Sequence, residues 1–486
     1  MPKPQGSNQA MNKQPMNFRS ALIAAAAATF LAGCSLIPTY ERPAAPVPTT
    51  FPGDPAQPAG PAAAMVPWQD FFVDARLQAL IDAALVNNRD LRVSVLNIEQ
   101  ARAQFQISRA SQFPAVDGIF SATRAPSPLN GQLTNTFQVG LGVTAWEIDF
   151  FGRLDSLKQQ ALAQYLATEE ARKAAQISLI SAVATGWYTL LADDELLELT
   201  RQTLATREDS VRLTKLRFDN GVSSEIDLQL ANSLAEQARA SYAQQRRQRL
   251  QDENALTLLV GGPLPSTTLT VATGVKPLDS VAPMRELPAG LPSDLLTERP
   301  DIRQAEQTLI GANANIGAAR AAFFPRISLT AQAGSASNEL SGLFKSGSSA
   351  FSLAPQLSIP IFNAGANRAN LESSKAGRDI AVANYEKSIQ TAFREVADAL
   401  AGRETLGEQL RAQRAQADAE GVRFKLSDLR YRNGIASALD LLDSQRSLFS
   451  AQQLAVQARL LQLQNQVVLY SALGGGWTSR EQVSRP

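Results

Sequence analysis

The side chains that perform most enzyme chemistry are scarce in this sequence. Its 486 residues include no histidine and a single cysteine, Cys34. Ser-His-Asp and Cys-His catalysis, most zinc and copper sites and an internal disulfide are therefore excluded. The sequence also contains no Walker loop and no GxSxG motif. It predicts a protein that is not an enzyme and binds no cofactor, and it leaves Cys34 as the residue with the clearest chemistry.

Cys34 ends a short apolar segment near the N-terminus. Three basic residues precede an apolar stretch over residues 21–32, which is too short to span a bilayer and has the length of a signal-peptide core. The stretch ends in Leu-Ala-Gly-Cys, which resembles the bacterial lipobox. We therefore predict a signal peptide over residues 1–33 and a covalent lipid on Cys34, rather than an ordinary signal peptide with an incidental cysteine. Ser35, where an aspartate would resemble an inner-membrane retention signal, favours the outer membrane.

Charge and composition narrow the class of partner. Forty-six basic residues against 45 acidic ones leave no charge bias, so nucleic acid is not an expected partner. Residues 38–67 are rich in proline and alanine, which predicts an extended tether that packs against nothing. After the leader, no stretch is long and apolar enough to predict a transmembrane helix.

Four segments alternate apolar and polar residues with a period of two, which predicts strands with one apolar and one polar face. They form two hairpins, over residues 113–149 and 325–362. A soluble sheet packed on a core would alternate in this way, and so would the lipid-facing strands of an outer-membrane barrel. Because the smallest membrane barrels need about eight strands, four strands could form one only by joining those of other chains. The clearest apolar series are Phe137, Val139, Leu141, Val143 and Ala145; Ile327, Leu329, Ala331 and Ala333; and Phe351, Leu353, Leu357, Ile359 and Ile361.

Very long helices are predicted between the strand hairpins. Residues 152–218 and 365–432 contain almost no proline, and apolar residues recur in them and in the helices that follow at intervals of seven. A sustained period of seven predicts a coiled-coil seam against other helices. The two series are Leu190, Leu197, Leu204, Val211 and Phe218, and Leu442, Phe449, Val456, Leu463 and Tyr470.

Both long helices end at an Asn-Gly pair, which predicts a left-handed cap and a sharp reversal. Ser224 with Asp227 and Ser437 with Asp440 then have the spacing of capping boxes that open the return helices. The sequence therefore predicts two helical hairpins.

The two halves of the chain repeat one another. Arg217 recurs as Arg430 and Gly152 as Gly365, both 213 residues later, which indicates a duplicated structural unit. The predicted organisation is a signal peptide (1–33), a lipid-anchored tether (34–67), a first repeat (68–261, with its helical hairpin at 152–261), a linker (262–292), a second repeat (293–476, with its helical hairpin at 365–474) and a C-terminal tail (477–486).

Taken together, these features resemble the TolC/OprM family of outer-membrane efflux channels, specifically its lipoprotein branch. The resemblance covers nearly the whole chain after Cys34. It implies a mainly α fold with membrane β: a homotrimer whose four strands per chain form a twelve-stranded outer-membrane barrel, continued by a coiled-coil tunnel in the periplasm. The most specific stretches are residues 291–296, 299–302, 321–329, 431–434, 441–446 and 472–477.

The family resemblance also implies a function. The chain would be a passive exit duct in the outer membrane of a Gram-negative cell, with a periplasmic adaptor (membrane fusion protein) and an inner-membrane RND-type pump as its partners. The alternatives are a diffusion porin, a lipid-anchored coiled-coil scaffold without a pore, and a type I secretion or metal-ion duct of the same architecture. The sequence does not indicate the cargo.

Site residues follow from the resemblance as well. The periplasmic constriction would be Leu439 and Asp443, with Asp440 as a second ring of carboxylates that attracts cations. Asp440 could instead serve only as a helix cap, and Asp443 could be an ordinary solvated residue. Tyr431 matches a tyrosine that links helices at the tip, although Ala436 replaces its usual basic partner. The adaptor would dock on Asn220, Gly221, Val222, Ser223, Asn433, Gly434, Ile435 and Ala436.

Overall fold

The computed structural model describes residues 35–51, 63–126, 131–265, 277–288 and 294–478. They fall into two compact units, each assembled from three separate stretches of the chain. The first unit contains the whole sheet, and the second contains both Asn-Gly turns. The first unit consists of the described residues within Met1–Glu41, Ala103–Ala163 and Ile310–Asp379. The second unit consists of those within Arg42–Arg102, Gln164–Leu309 and Ile380–Pro486.

The described chain is mainly helical, and its elements recur in the same order in both halves. Each half has a 22-residue helix, two strands, a 67-residue helix and a return helix, as the duplication predicts. The elements are α1 (Trp68–Phe71), α2 (Ala75–Asn87), α3 (Arg89–Ala110), β1 (Asp117–Pro126), β2 (Leu133–Ile148), α4 (Arg153–Asp219), α5 (Glu225–Val260), α6 (Leu295–Glu298), α7 (Pro300–Ala321), β3 (Arg326–Ser337), β4 (Ser349–Ser358), α8 (Ala366–Arg432) and α9 (Ala438–Ala472).

The four strands form one antiparallel sheet in the order β1-β2-β3-β4. Directly paired residues share a face, so the register shows which side chains lie together. Phe120 pairs with Val139. Two residues further along β2, Leu141 pairs with Ala333, which pairs in turn with Phe351. The apolar series of β2, β3 and β4 therefore share one face with Phe120 of β1, as predicted, whereas Ile119 of β1 pairs with Gly140 on the opposite face. The shared apolar face is open: Leu141 is 61% exposed and Phe351 89%.

The polar face of the sheet is its closed side. Gly140 and Gly334 are paired there, and a Cβ on either would overlap the backbone of the facing strand. A Cβ on Gly142 would overlap the side chain of Ile119. Because glycines in strands commonly mark tight bends of barrels, we infer that the sheet curls toward its polar face.

One prediction for β2 is wrong. The register shifts between Val143 and Trp146, and Ala145 has a φ of 49°. The Ala145 N–H donates to the Thr330 hydroxyl at 3.1 Å instead of joining the ladder. This bulge removes Ala145 from the apolar series, and the alternation resumes at Trp146, which pairs with Leu329.

The second strand hairpin also ends earlier than predicted. β4 stops at Ser358, so Ile359 and Ile361 lie beyond the strand. Both are exposed, Ile361 at 94%. Pro360 separates them, and a proline has no N–H with which to extend a ladder.

The prediction of an unpacked tether is wrong for its described residues. The carbonyl of Pro38 accepts a hydrogen bond from Asn313 at 2.7 Å, and that of Leu36 accepts one from Arg320 at 3.1 Å. Phe51 is buried. The proline-rich composition gives an extended backbone here, but its carbonyls and apolar side chains pack against the rest of the chain.

The first predicted heptad series is only partly buried within the single chain, and its contacts with other chains stay a prediction. Leu190 is buried, but Phe218 at the other end of the series is 38% exposed. Beyond residue 192 of α4, the most deeply buried stripe is a polar one. Asp193, Thr200, Arg207 and Thr214 are seven residues apart and at most 5% exposed. Polar residues at seam positions can fix the register of packed helices, so we infer that this polar stripe sets the alignment of α4.

The second heptad series is confirmed. Leu442, Val456, Leu463 and Tyr470 of α9 are all buried, and Phe449 is half-buried. The phenol of Tyr470 donates to the carbonyl of Val66 at 2.6 Å, which satisfies the one polar atom at the end of this seam.

Among the described residues, α4 includes an 18-residue window that is apolar enough to cross a bilayer, which the sequence analysis did not anticipate. Within the chain, 44% of that window is buried. The core helix of a soluble protein meets the same criterion, so the window is weak evidence for a membrane span.

Candidate functional site

The two Asn-Gly turns have the same backbone conformation. We call residues 220–223 the first tip and residues 433–436 the second tip. Gly221 and Gly434 have φ values of 72° and 74°, the left-handed region that suits glycine. In each tip the N–H after the glycine donates, at 2.9 Å, to the carbonyl five residues earlier. Both turns are therefore Schellman-type helix ends, as the Asn-Gly pairs predict.

A capping box opens the return helix after each tip. In the second, Ser437 N donates to Asp440 Oδ2 and Asp440 N donates to Ser437 Oγ, both at 3.2 Å. Ser224 and Asp227 make the same pair of bonds in the first. Hydrogen bonds from the serine hydroxyl and N–H hold the pKa of both carboxyls below its ordinary value. The capping role of Asp440 is therefore confirmed, while its role in a pore stays a prediction.

Asp443 lies one turn further along α9, between two arginines of its own chain. Arg423 on α8 donates to its Oδ2 at 2.5 Å, and Arg446 donates to its Oδ1 at 2.6 Å. The hydrogen bond from Arg423, with Arg446 adding to it, holds the pKa of the Asp443 carboxyl below its ordinary value. Within one chain, Asp443 is therefore an ionised carboxylate whose charge is largely offset. Neither arginine was predicted from the sequence as a partner of Asp443.

The other predicted gate and docking residues are open to solvent in the single chain. Leu439 is 61% exposed, next to the buried Ala438 and Leu441. Val222 and Ile435 are each 70% exposed at the ends of the tips. Such large apolar side chains at a sharp reversal are available for contacts with another chain. The remaining tip residues are exposed at Asn220, Gly221, Asn433 and Gly434 and half-buried at Ser223 and Ala436.

Tyr431 does link helices at the tip, through partners that the sequence did not indicate. Its ring is buried with Ala438 and Leu441. Its hydroxyl lies 3.5 Å from Thr214 Oγ1 on α4, and its carbonyl accepts from Arg217 Nη1 at 3.1 Å. The Arg217 guanidinium also lies over the ring, 4.5 Å from its centroid. Arg217 therefore supplies the basic partner that Ala436 does not.

The Arg-Pro-Asp stretch at the start of α7 is a structural junction in the second unit. Arg299 is buried and donates to Asp301 at 2.6 Å and to Glu395 on α8 at 2.9 Å. It also donates to the carbonyl of Ala472, at the end of α9. The guanidinium thus joins three helices, and its motif stabilises the fold rather than the tips.

Several predictions lie outside the described residues. They are the signal peptide, the lipidation of Cys34, residues 266–276 and 289–292 of the predicted linker and nearly all of the 477–486 tail. They stay predictions.

Comparisons with known proteins give the family context of this geometry. The family described as "Outer membrane efflux protein" matches residues 80–262 and 291–475, one segment in each half. The chain is 49% identical over 470 residues to the toluene efflux pump outer membrane protein TtgC of Pseudomonas putida, covering 94% of this chain and 96% of that protein. It is equally similar to the antibiotic efflux pump outer membrane protein ArpC of Pseudomonas putida, with the same identity and coverage.

A solved structure has the same fold. The open state of the Neisseria gonorrhoeae MtrE outer membrane channel superposes with a TM-score of 0.83 at 41% identity. The superposition covers 92% of this chain and 100% of the MtrE chain.

Proposed function

The chain belongs to the outer membrane efflux protein family and is the outer-membrane channel of a tripartite efflux system, and we propose that it works as a homotrimeric, passive exit duct anchored by a lipid on Cys34. In this proposal an inner-membrane RND-type pump supplies the driving force and a periplasmic adaptor connects the pump to the duct. The chain itself contributes the pore.

The shape of the sheet supports the homotrimer. In the part of the chain that the structure describes, β1 and β4 each have one edge without a strand partner. Unpaired backbone groups cost several kcal/mol each in lipid, so these edges need strands from other copies. Three copies with four strands each would close a twelve-stranded barrel, with the exposed apolar face toward lipid and the closed polar face toward the lumen. A scaffold without a pore would not need this apolar face.

We assign the gate to the second tip region. Leu439 would form an apolar ring, and the carboxylates of Asp440 and Asp443 would lie next to it. The contacts of Tyr431 with Arg217 and Thr214 would hold α4, α8 and α9 together around this ring. The adaptor would dock on the first and second tips, where Val222 and Ile435 are the most exposed apolar side chains.

For the cargo we propose small organic molecules. The names of the similar proteins TtgC and ArpC refer to toluene and to antibiotics, and this proposal rests on those names. A type I secretion duct or a metal-ion duct of the same architecture remains the alternative.

Conductance measurements test the proposed pore. The full-length protein, purified in detergent, should give trimers by native mass spectrometry and discrete conductance steps in planar bilayers. In cells that lack their own outer-membrane efflux component, expression with the matching adaptor and pump should restore resistance to the cargo. Trimers that never conduct would favour the scaffold, and monomers would contradict the shared barrel.

A further inference from the structure

The buried polar stripe of α4 includes one carboxyl with an unusual environment. Asp193 is 5% exposed, and its Oδ1 accepts a hydrogen bond from Gln245 on α5 at 2.9 Å. Among the described residues, no N–H or O–H donor reaches its other oxygen, Oδ2. Leaving a buried carboxylate oxygen without a donor is costly, so this atom requires an explanation.

The group that faces Asp193 is a second carboxyl. Asp252 lies seven residues after Gln245, on the same face of α5, and acts on Asp193 as a hydrogen-bonding neighbour. Two ionised carboxylates offer only acceptors, so a hydrogen bond between them requires a proton on one of them. Asp252 also accepts from Gln248 at 2.9 Å, which keeps its side chain on this face of α5.

The surrounding charges do not neutralise this pair. Asp194, beside Asp193 on α4, is paired with Arg249 of α5, and the same arginine also binds Glu253. The charged groups that act on Asp193 are Asp252 and Asp194, and both are negative.

Asp252 also lines an open cavity of about 780 Å³, formed by residues of α4, α5, α7, α8 and α9. Its other charged residues are Arg299 and the two acids that Arg299 binds, Asp301 and Glu395. Because Asp252 is also in the cavity wall, water can reach one carboxyl of the pair, and protons can exchange.

We propose that Asp193 and Asp252 form a proton-binding site, in which one shared proton stabilises the contact between α4 and α5. With the proton bound, the two carboxyls make a hydrogen bond across the first helical hairpin. Without it, two negative charges face each other between packed helices and repel. The first helical hairpin is therefore more stable when the proton is bound than when it is lost.

The pH range of this switch follows from the environment of Asp193. Burial, with Asp252 adding to it, raises the pKa of Asp193 from 3.8 to about 7. Because this pKa is higher in the folded hairpin than in an opened one, the stabilisation is fully present below pH 3.8 and is lost as the pH rises through about 7. The proposed switch therefore operates near neutral pH, independently of the proposed gate and cargo.

Hydrogen–deuterium exchange on the full-length protein in detergent tests the site. Peptides from residues 188–200 of α4 and 245–258 of α5 would be compared at pH 5 and pH 8, after correction for the intrinsic pH dependence of amide exchange. As the pH rises toward 7, the protection of these peptides should fall by up to about tenfold per pH unit. Peptides from α8 should show no such change.

Amide variants test whether the pH dependence of protection arises from the shared proton. Asp193→Asn and Asp252→Asn each place a permanent N–H donor between the two side chains, so either variant should keep high protection at both pH values. Asp194→Asn removes only the smallest of the effects on Asp193, so this variant should keep the pH dependence, with its midpoint at a slightly lower pH. If the wild-type peptides show no pH dependence, or if both amide variants keep it, the shared proton does not exist.

Discussion

Arg423 on α8 donates to the Asp443 carboxylate on α9, with 2.5 Å between Nη2 and Oδ2. This pair changes the electrostatics expected at the second tip. A ring of unpaired Asp443 side chains around a threefold axis would repel, and their pKa would rise. Each chain instead brings its own cation, so the Asp443 pKa lies below the ordinary value.

The first prediction is that Arg423 and Asp443 have opposite effects on ion selectivity. Arg423→Ala leaves Asp443 with less compensation, so the channel should become more cation-selective and more sensitive to divalent block. Asp443→Ala should weaken both properties. Reversal potentials in planar bilayers under a salt gradient measure the selectivity directly.

Asp440 needs its own control, because it caps α9. Asp440→Ala and Asp227→Ala remove the same cap from the second and first tips. If Asp440 also lines the pore, only its variant should reduce cation preference. Identical selectivity in Asp440→Ala, Asp443→Ala and the wild type would remove both carboxylates from the pore.

The second prediction concerns the apolar constriction. Replacing Leu439 by Ala shortens the side chain that we assign to the narrowest ring, so the resting conductance should rise. Ile226 is the counterpart of Leu439 in the first repeat and is 79% exposed, so Ile226→Ala is the matched control. Single-channel recordings that show the same increase in both variants would place the effect in the helices generally, not in the gate.

The third prediction is that the apolar sheet face contacts lipid. Leu141→Lys should cost about 2–4 kcal/mol at the bilayer midplane and reduce the assembled fraction in the outer membrane. Gln138→Lys places the same charge on the opposite face of β2 and should assemble normally. Native gels of outer-membrane extracts measure the assembled fraction. The opposite ranking would mean that the two faces are reversed.

The fourth prediction is that the first and second tips bind the adaptor. Val222→Trp and Ile435→Trp add bulk while leaving the glycine turns and capping boxes intact. Both should reduce crosslinking to the adaptor and efflux, without loss of the trimer. Val86→Trp, on α2 and outside the tips, alters a residue that is 82% exposed and is the control. Wild-type efflux in both tip variants would exclude docking there.

The fifth prediction is lipidation of Cys34. Mass spectrometry of the mature protein should find Cys34 as the first residue, carrying acyl chains. Cys34→Ser should abolish this modification but still allow insertion, because the buried barrel is a stronger anchor than acyl chains. An unmodified Cys34, or cleavage at another residue, would refute the assignment.

Much of the fold could be predicted because its signals are local. Period-two alternation gave the two faces of the sheet, and each Asn-Gly pair gave a tip. Both signals arise from the backbone geometry of a few neighbouring residues. The Ala145 bulge was missed because its alternation continues unbroken in the sequence, and only the pairing with β3 shows the shift.

The site was harder to predict because its partners are distant in the sequence. Arg217 meets Tyr431, and Arg423 meets Asp443, only after the hairpins have packed. The buried stripe of α4 was missed for a related reason. A search for apolar heptads does not detect polar residues with the same period. Thr200 is buried with its hydroxyl donating to the Leu196 carbonyl of its own helix, and Arg207 donates to the Leu234 carbonyl on α5.

The equal lengths of α4 and α8, 67 residues each, restrict how this protein can evolve. Because Arg217 and Tyr431 meet near the ends of these helices, a deletion of seven residues from α8 alone would separate them by about 10 Å. A change of length in one helix must therefore be matched in the other long helix and in both return helices. Tolerated insertions and deletions should collect in the loops and termini, while the helical hairpins change length together or not at all.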